Sequence, residues 1–262
     1  MSEPVLVAAE AGVQRITLNR PDKLNSFNAA MHALLREAFE RAHGDASIRV
    51  VLVTGAGRAF CAGQDLSERD PRAGGPGPDL GATLEKFYNP LVSAMRALPK
   101  PIVCAVNGVA AGAGASFALA CDIVLAARSA SFLQAFAKIG LVPDAGSTYV
   151  LPRRVGMARA MGLALLAERL PAEDAERWGL IWKCLDDDRL MPEAEALCTR
   201  LAQAPTRTLG LVKRALDASP ANTLEQQLTL ERELQREAGL SPDYREGVAA
   251  FLEKRPPKFT GR

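Results

Sequence analysis

Two stretches constrain this chain most: Val50-Val-Leu-Val-Thr54 and Pro101-Ile-Val-Cys-Ala-Val106 are apolar without alternation. A strand with one wet face alternates, so unbroken runs of this length read as strands buried on both faces. Around them, Val13 to Leu18 alternates with the strand period, while Met31, Leu34, Leu35, Ala38 and Ala42 follow the helical period behind an Asn28 cap. Leu80 to Leu98 reads as a helix, Gly112 to Cys121 as another, and Asp122 to Ala126 as a strand. That order predicts βαβ units and a mainly parallel sheet. From Gly146 onward the texture changes to successive helices: Gly146–Val155, Met157–Ala167, Ala172–Trp178, Leu190–Ala204, Arg207–Ala218, Thr223–Ala238 and Pro242–Lys254. The expectation is an α/β core followed by a helical C-terminal part, with Trp178 and Trp182 packed inside the latter. The segment 70–79, rich in Pro and Gly, is no regular element; it reads as a surface loop or as a lid over substrate.

Composition serves mainly to exclude. Net charge is +2, from 32 basic and 30 acidic residues, which predicts no nucleic-acid partner and no membrane binding. No apolar run reaches spanning length, since Asn107, Gly108, Gly112 and Gly114 interrupt Ile102 to Ala120. The N-terminus lacks a basic segment ahead of an apolar one, so a cytoplasmic protein is expected. Five cysteines without a CxxC pair read as reduced, mostly buried thiols. The two histidines, His32 and His43, share one helix away from any Cys, so no metal site is expected.

The chemistry concentrates in three segments: Phe60-Cys-Ala-Gly-Gln-Asp-Leu66, Ala105-Val-Asn-Gly-Val-Ala-Ala-Gly-Ala-Gly-Ala115 and Lys138-Ile-Gly-Leu-Val-Pro-Asp-Ala-Gly146. The second is a strand turning through small residues into a helix. Its glycines allow a ligand to approach the backbone, and free N–H groups at the helix start suit a developing negative charge. Helix–sheet packing alone would ask for the same small residues. Gly55-Ala-Gly57 opens like a dinucleotide fingerprint, but Phe60 stands where the third glycine belongs.

Together with Asn19-Arg-Pro-Asp-Lys-Leu-Asn-Ser-Phe-Asn28, Leu98-Pro-Lys-Pro-Ile-Val-Cys-Ala-Val-Asn-Gly108, Ala120-Cys-Asp-Ile123 and Arg245-Glu-Gly-Val-Ala-Ala-Phe-Leu-Glu-Lys254, these segments resemble the crotonase (enoyl-CoA hydratase/isomerase) superfamily. The resemblance implies an α/β crotonase fold: repeated ββα units in residues 1–195, then a helical trimerisation region in 196–262. It implies an oxyanion hole on the backbone N–H groups of Gln64 and Ala113. Coenzyme A would lie across Lys23, Leu24, Ala62, Asp65 and Leu66, with the acyl part against Gly112 and Phe136. Phe251 and Lys254 would reach the nucleotide end from a neighbouring subunit of a homotrimer or hexamer. Coenzyme A would enter as part of the substrate, and no separate cofactor is implied.

Hydratases of this superfamily carry two glutamates where this chain has Ser116 and Phe136, and neither of these moves a proton. Asp144 matches the catalytic aspartate of its isomerases. An alternative stays open at this point: Asp144 as a cap for the helix starting near Ala145 or Gly146. With Asp144 as the single carboxylate, the resemblance implies a 1,3-proton shift. Its substrates would be β,γ-enoyl-CoA thioesters and ring-epoxidised phenylacetyl-CoA, the latter giving an oxepin-ylidene thioester. A plain Δ3,Δ2-enoyl-CoA isomerase, a thioesterase, or a silent acyl-CoA-binding scaffold docked on a pathway enoyl-CoA hydratase are the alternatives. Phe87 and Tyr88 read equally as acyl-pocket or core residues.

Overall fold

The structure is a computed structural model that describes residues 3–69 and 79–262. The stretch read as a loop or lid therefore lies outside the described residues, apart from Asp79. Strands β1 (Val5–Glu10) and β2 (Val13–Leu18) form an antiparallel hairpin closed by Ala11 and Gly12, at φ +49° and +83°. Two successive left-handed residues make the tight turn that suits twisted strands.

Three strand pairs follow: β3 (Val50–Gly55) with β4 (Ala59–Cys61), β5 (Ile102–Val106) with β6 (Val109–Ala111), and β7 (Ile123–Ala127) with β8 (Ser131–Leu133). In each pair the longer strand joins one sheet and the three-residue strand joins another. The first sheet runs β1-β2-β3-β5-β7-β10, parallel from β2 onward, with β10 at Lys183–Leu185. The second runs β4-β6-β8-β9, with β9 (Arg169–Pro171) antiparallel to β8. A helical layer follows each pair, which makes the repeated ββα unit.

Helix α1 (Ala29–Gly44) starts where Asn28 accepts a hydrogen bond from Met31 N at 3.0 Å. Helices α2 (Leu80–Thr83) and α3 (Asn89–Ala97) are joined by a π-helical stretch, Leu84–Tyr88, so Leu80 to Ala97 is one helical path with a bulge. Such bulges re-aim side chains and often sit at functional sites. Helix α4 (Ala113–Ala120) is buried at all eight positions, as its all-round apolar sequence requires. Helix α5 (Ser147–Leu166) breaks at Gly156 (φ +77°), at the boundary expected between Val155 and Met157.

Helices α6 (Ala172–Arg177), α7 (Leu190–Ala202), α8 (Thr206–Ala218), α9 (Leu224–Gly239) and α10 (Pro242–Leu252) complete the chain. The expected division at 195/196 falls inside α7. That helix lies on β2, β3, β5 and β7 and buries Ala194, Cys198 and Ala202, so the core extends through it. Trp182 also departs from expectation: it is 72% exposed. Its main-chain N–H donates to Val124 O at 2.9 Å, while the side chain stays in solvent. Among the described residues, no helix is long and apolar enough to cross a membrane.

Candidate active site

The site begins with three glycines that only a missing Cβ makes possible. A Cβ on Gly108 would fall 2.3 Å from Arg58 O, and one on Gly114 would fall 2.2 Å from Cys61 O. These contacts clamp the β5–β6 turn and the start of α4 onto β4. Gly63, at φ +94°, lies where a Cβ would be 2.9 Å from Ala111 O and 3.4 Å from Ala113 N. The segment 62–64 and the start of α4 therefore touch through backbone, as the two halves of an oxyanion hole must.

Gln64 is held at both ends of its side chain. Its Nε2 donates to Phe27 O at 3.1 Å, and its Oε1 accepts from Tyr88 Oη at 2.7 Å. Its backbone stays out of the local pairing. Phe27 N donates to Gly63 O and Phe27 O accepts from Asp65 N, at 2.7 and 2.9 Å, so the ladder uses the residues on either side. In a parallel bridge of this kind the middle residue's own N–H points the other way. The N–H of Ala113 sits in the first turn of α4, where no intrahelical acceptor exists.

A cavity of about 270 Å³ opens beside these donors. Its walls combine Ala62, Gly63, Gln64 and Leu66 with Gly112 and Ala113, the π-helical segment through Tyr88, and residues from Ala135 to Asp144. Phe136 stands over Gly112, its Cζ 3.9 Å from where a Cβ would be. Among the described residues lining the cavity, Asp144 is the one carboxylate. Ser116 is 2% exposed and lies behind the wall. A larger groove of about 870 Å³ between the end of α1 and α8 is lined by His43 but by none of the candidate catalytic or coenzyme A residues. Its Arg49, Arg96, Lys100 and Lys213 are already engaged by carbonyls, a hydroxyl or carboxylates.

Asp144 does not occupy the cap position of α5. The cap position is Gly146, at φ +85°, with no side-chain bond, and Asp144 is two residues upstream. Its main-chain carbonyl instead accepts from Ser147 N at 3.0 Å, in a turn whose Ala145 is also left-handed (φ +49°). That geometry leaves the half-buried carboxyl among Phe136, Leu141 and Val142.

The expected coenzyme A residues divide. Ala62 and Leu66 line the cavity, and Ala62 N donates to Leu24 O at 3.0 Å, which brings Leu24 and the exposed Lys23 beside it. Asp65 is turned inward: its carboxylate accepts from Arg20 Nη2 at 2.8 Å and from Ser67 Oγ at 2.6 Å. The Ser67 hydroxyl first, then Arg20, hold its carboxyl below the usual range. Phe251 and Lys254 do not line the cavity of their own chain, and Phe251 is 82% exposed.

One residue that organises the site was not singled out in the sequence. Asn25, fully buried at φ +56°, accepts from Arg20 N at 2.8 Å and donates to Ala56 O and Ala59 O at 2.9 and 2.8 Å. It thus ties the Asn19–Asn28 stretch to the β3–β4 turn. Of the aromatic pair, Tyr88 reaches the cavity, whereas Phe87 stacks on the buried His32 ring at 5.3 Å. Burial pushes the Cys61 thiol up to about 12, which removes it as a nucleophile at neutral pH.

A sequence model of the enoyl-CoA hydratase/isomerase family matches residues 8–262. The chain is 57% identical over 262 residues to a 1,2-epoxyphenylacetyl-CoA isomerase of Escherichia coli (strain K12), covering 100% of both chains. It is 51% identical over 251 residues to a protein of Rhodobacter capsulatus named "probable enoyl-CoA hydratase", covering 96% of this chain and 95% of the other. A crystal structure of an enoyl-CoA hydratase from Bacillus anthracis superposes with a TM-score of 0.93 at 31% identity, covering 99% of this chain and 100% of that one.

Proposed function

This chain belongs to the enoyl-CoA hydratase/isomerase family, and from that premise we propose that it is an acyl-CoA isomerase acting on ring-1,2-epoxyphenylacetyl-CoA. The observation that carries this is that, among the described residues lining the cavity, one carboxylate, Asp144, shares it with Gln64 and Ala113, whose backbone N–H groups are the proposed donors. A hydratase needs a second carboxyl to handle water, and the chain has Ser116 and Phe136 at those positions. The relative named as a hydratase gives no reason to supply one here.

One carboxylate suffices for a 1,3-proton shift. Asp144, as base, takes the proton alpha to the thioester carbonyl. The negative charge then passes to the carbonyl oxygen, where Gln64 N–H and Ala113 N–H stabilise it. Asp144, now an acid, returns the proton two carbons further along. For a β,γ-enoyl-CoA the product is the conjugated α,β isomer. For the ring epoxide, opening of the shared C–C bond to the oxepin precedes the same shift, which gives the oxepin-ylidene thioester. No atom enters or leaves in either case.

Coenzyme A arrives as part of the substrate, across Lys23, Leu24, Ala62 and Leu66, with Asp65 acting through the loop it braces. Its nucleotide end is completed by Phe251 and Lys254 of a neighbouring subunit. The exposed Leu216, Leu228, Phe251 and Leu252 support assembly into a trimer or a hexamer, since one chain leaves them uncovered. Docking on a pathway enoyl-CoA hydratase and a cytoplasmic location belong to the same reading.

Mass analysis in isotopically labelled water tests it. Incubated with the ring epoxide or a β,γ-enoyl-CoA, the purified protein should give a product of unchanged mass apart from hydrogen isotopes, with no solvent oxygen. Solvent oxygen in the thioester product, or no conversion of either substrate, overturns the isomerase reading.

A further inference from the structure

Gly112 O and Ala113 N–H belong to one peptide unit, and the oxygen is unusually well served. It accepts from Ser116 N at 3.1 Å, the ordinary helical bond, and also from Ser116 Oγ at 3.2 Å. Ser116 Oγ in turn lies 2.7 Å from Ser147 Oγ, and Ser147 Oγ lies 3.1 Å from the Gln134 carboxamide. All three side chains are buried, at 2%, 1% and 2% exposure for Ser116, Ser147 and Gln134. Ser147 is also the residue whose N–H holds the Asp144 turn.

We infer that Ser116 and Ser147 form a buried relay that strengthens Ala113 N–H as an oxyanion donor and ties the Asp144 turn to it. The inference rests on the oxyanion-hole reading above. Proton counting gives the relay its direction. Each hydroxyl carries one proton, and the 2.7 Å contact needs one of them. Ser147 Oγ faces Gln134 Oε1 as placed, but two hydroxyl protons cannot serve three contacts; all three are hydrogen bonds only with the carboxamide turned so that its NH2 donates to Ser147, Ser147 donates to Ser116, and Ser116 donates to Gly112 O. The chain then runs Gln134, Ser147, Ser116, Gly112 O, and leaves the same peptide at Ala113 N–H. Hydrogen bonds in series polarise one another, by about 10–30% per bond. An oxyanion donor is worth about a hundred- to a thousandfold in kcat, so weakening it by that fraction costs about twofold to eightfold.

Ser116 and Ser147 are thus positioning residues. In Ser116→Ala, Gly112 O keeps the Ser116-position N–H and Ser147 keeps Gln134; in Ser147→Ala, Ser116 keeps Gly112 O and the Gln134 carboxamide loses its Ser147 contact, so Ser116→Ala is the cleaner variant. The test combines steady-state kinetics on a β,γ-enoyl-CoA with the infrared band of bound phenylacetyl-CoA, isotopically labelled at its thioester carbonyl. Ser116→Ala should lower kcat about twofold to eightfold at constant KM, and move the carbonyl band back toward its frequency in water. Ser147→Ala should do both to a smaller extent, and the double variant should match Ser116→Ala alone. A parent-like kcat and band in Ser116→Ala overturn the relay while leaving the oxyanion hole standing. A parent enzyme whose bound carbonyl is not shifted from its frequency in water overturns the oxyanion hole, and the relay with it.

Discussion

The two walls of the acyl cavity are built from different materials. The wall made by Ala62–Gln64 and Gly112–Ala113 is main chain: the groups proposed to act are peptide N–H bonds, and Gly63 and, just behind, Gly114 leave no room for a Cβ. The wall from Phe136 to Asp144 is side chain: an aromatic ring, aliphatic groups and one carboxyl on a half-exposed turn. On the first wall geometry and stability are the same property, because whatever moves the donors also moves β4 against α4. On the second, one functional group can be exchanged while the turn that carries it persists. Substitutions should therefore separate the walls by whether activity and stability fall together.

Asp144→Asn should have the largest effect on turnover and the least on folding. Asn keeps the size of the side chain and loses the base, which contributes about a hundred- to ten-thousandfold. Thermal melting should change far less than turnover, since Asp144 lies two residues upstream of the α5 cap position. A folded Asp144→Asn enzyme that isomerises a β,γ-enoyl-CoA at the parent rate would remove the contrast between the walls altogether.

Gly63→Ala tests the opposite wall. A methyl group 2.9 Å from Ala111 O, on a residue at φ +94°, should cost about 2–4 kcal/mol of stability through strain and crowding. Turnover should fall with it, by up to the hundred- to thousandfold that a displaced donor costs. Loss of activity at unchanged stability, read from urea unfolding of the same preparation, would mean that the donors move independently of the core.

The smallest effect is expected at Asp65, which braces the main-chain wall from behind. Its carboxyl is held below the ordinary value by Ser67 and Arg20. A depressed pKa means that the folded state binds fewer protons than the unfolded chain. The added stability is therefore present above about pH 4, the unfolded value, and lost as pH falls through the lower folded value. Asp65→Asn should lower stability by about 1–2 kcal/mol at neutral pH, and should flatten melting temperature against pH on the acid side. An unchanged acid limb would show that the brace adds nothing to the wall.

Much of the fold was legible because long elements carry their own period. Val50–Thr54 and Ile102–Val106 are buried on both faces and look it, and Asn28, the α4 run and the break at Gly156 sit where local chemistry puts them. The second sheet was not legible. Ala59–Cys61, Val109–Ala111 and Ser131–Leu133 are three residues each, too short for alternation to register, and they pair only because the longer strands bring them together. Strand β1 escaped notice although Ala11-Gly12 between two apolar stretches is a hairpin signal.

The site divides along the same line. The amino-acid sequence by itself determined the inventory: a small-residue turn that can expose N–H groups, the lack of a carboxylate at 116 and 136, and an aspartate at 144. These are properties of residue type and local spacing, which the chain carries whether folded or not. Only the tertiary structure decided that Asp144 sits two residues upstream of the α5 cap position, that Tyr88 rather than Phe87 reaches the cavity, and that Asp65 turns inward to Arg20. The Ser116–Ser147 contact spans thirty-one positions and Tyr88–Gln64 spans twenty-four. No local pattern encodes such pairs, because a hydrogen bond between distant residues exists only once the packed core has fixed where each side chain points.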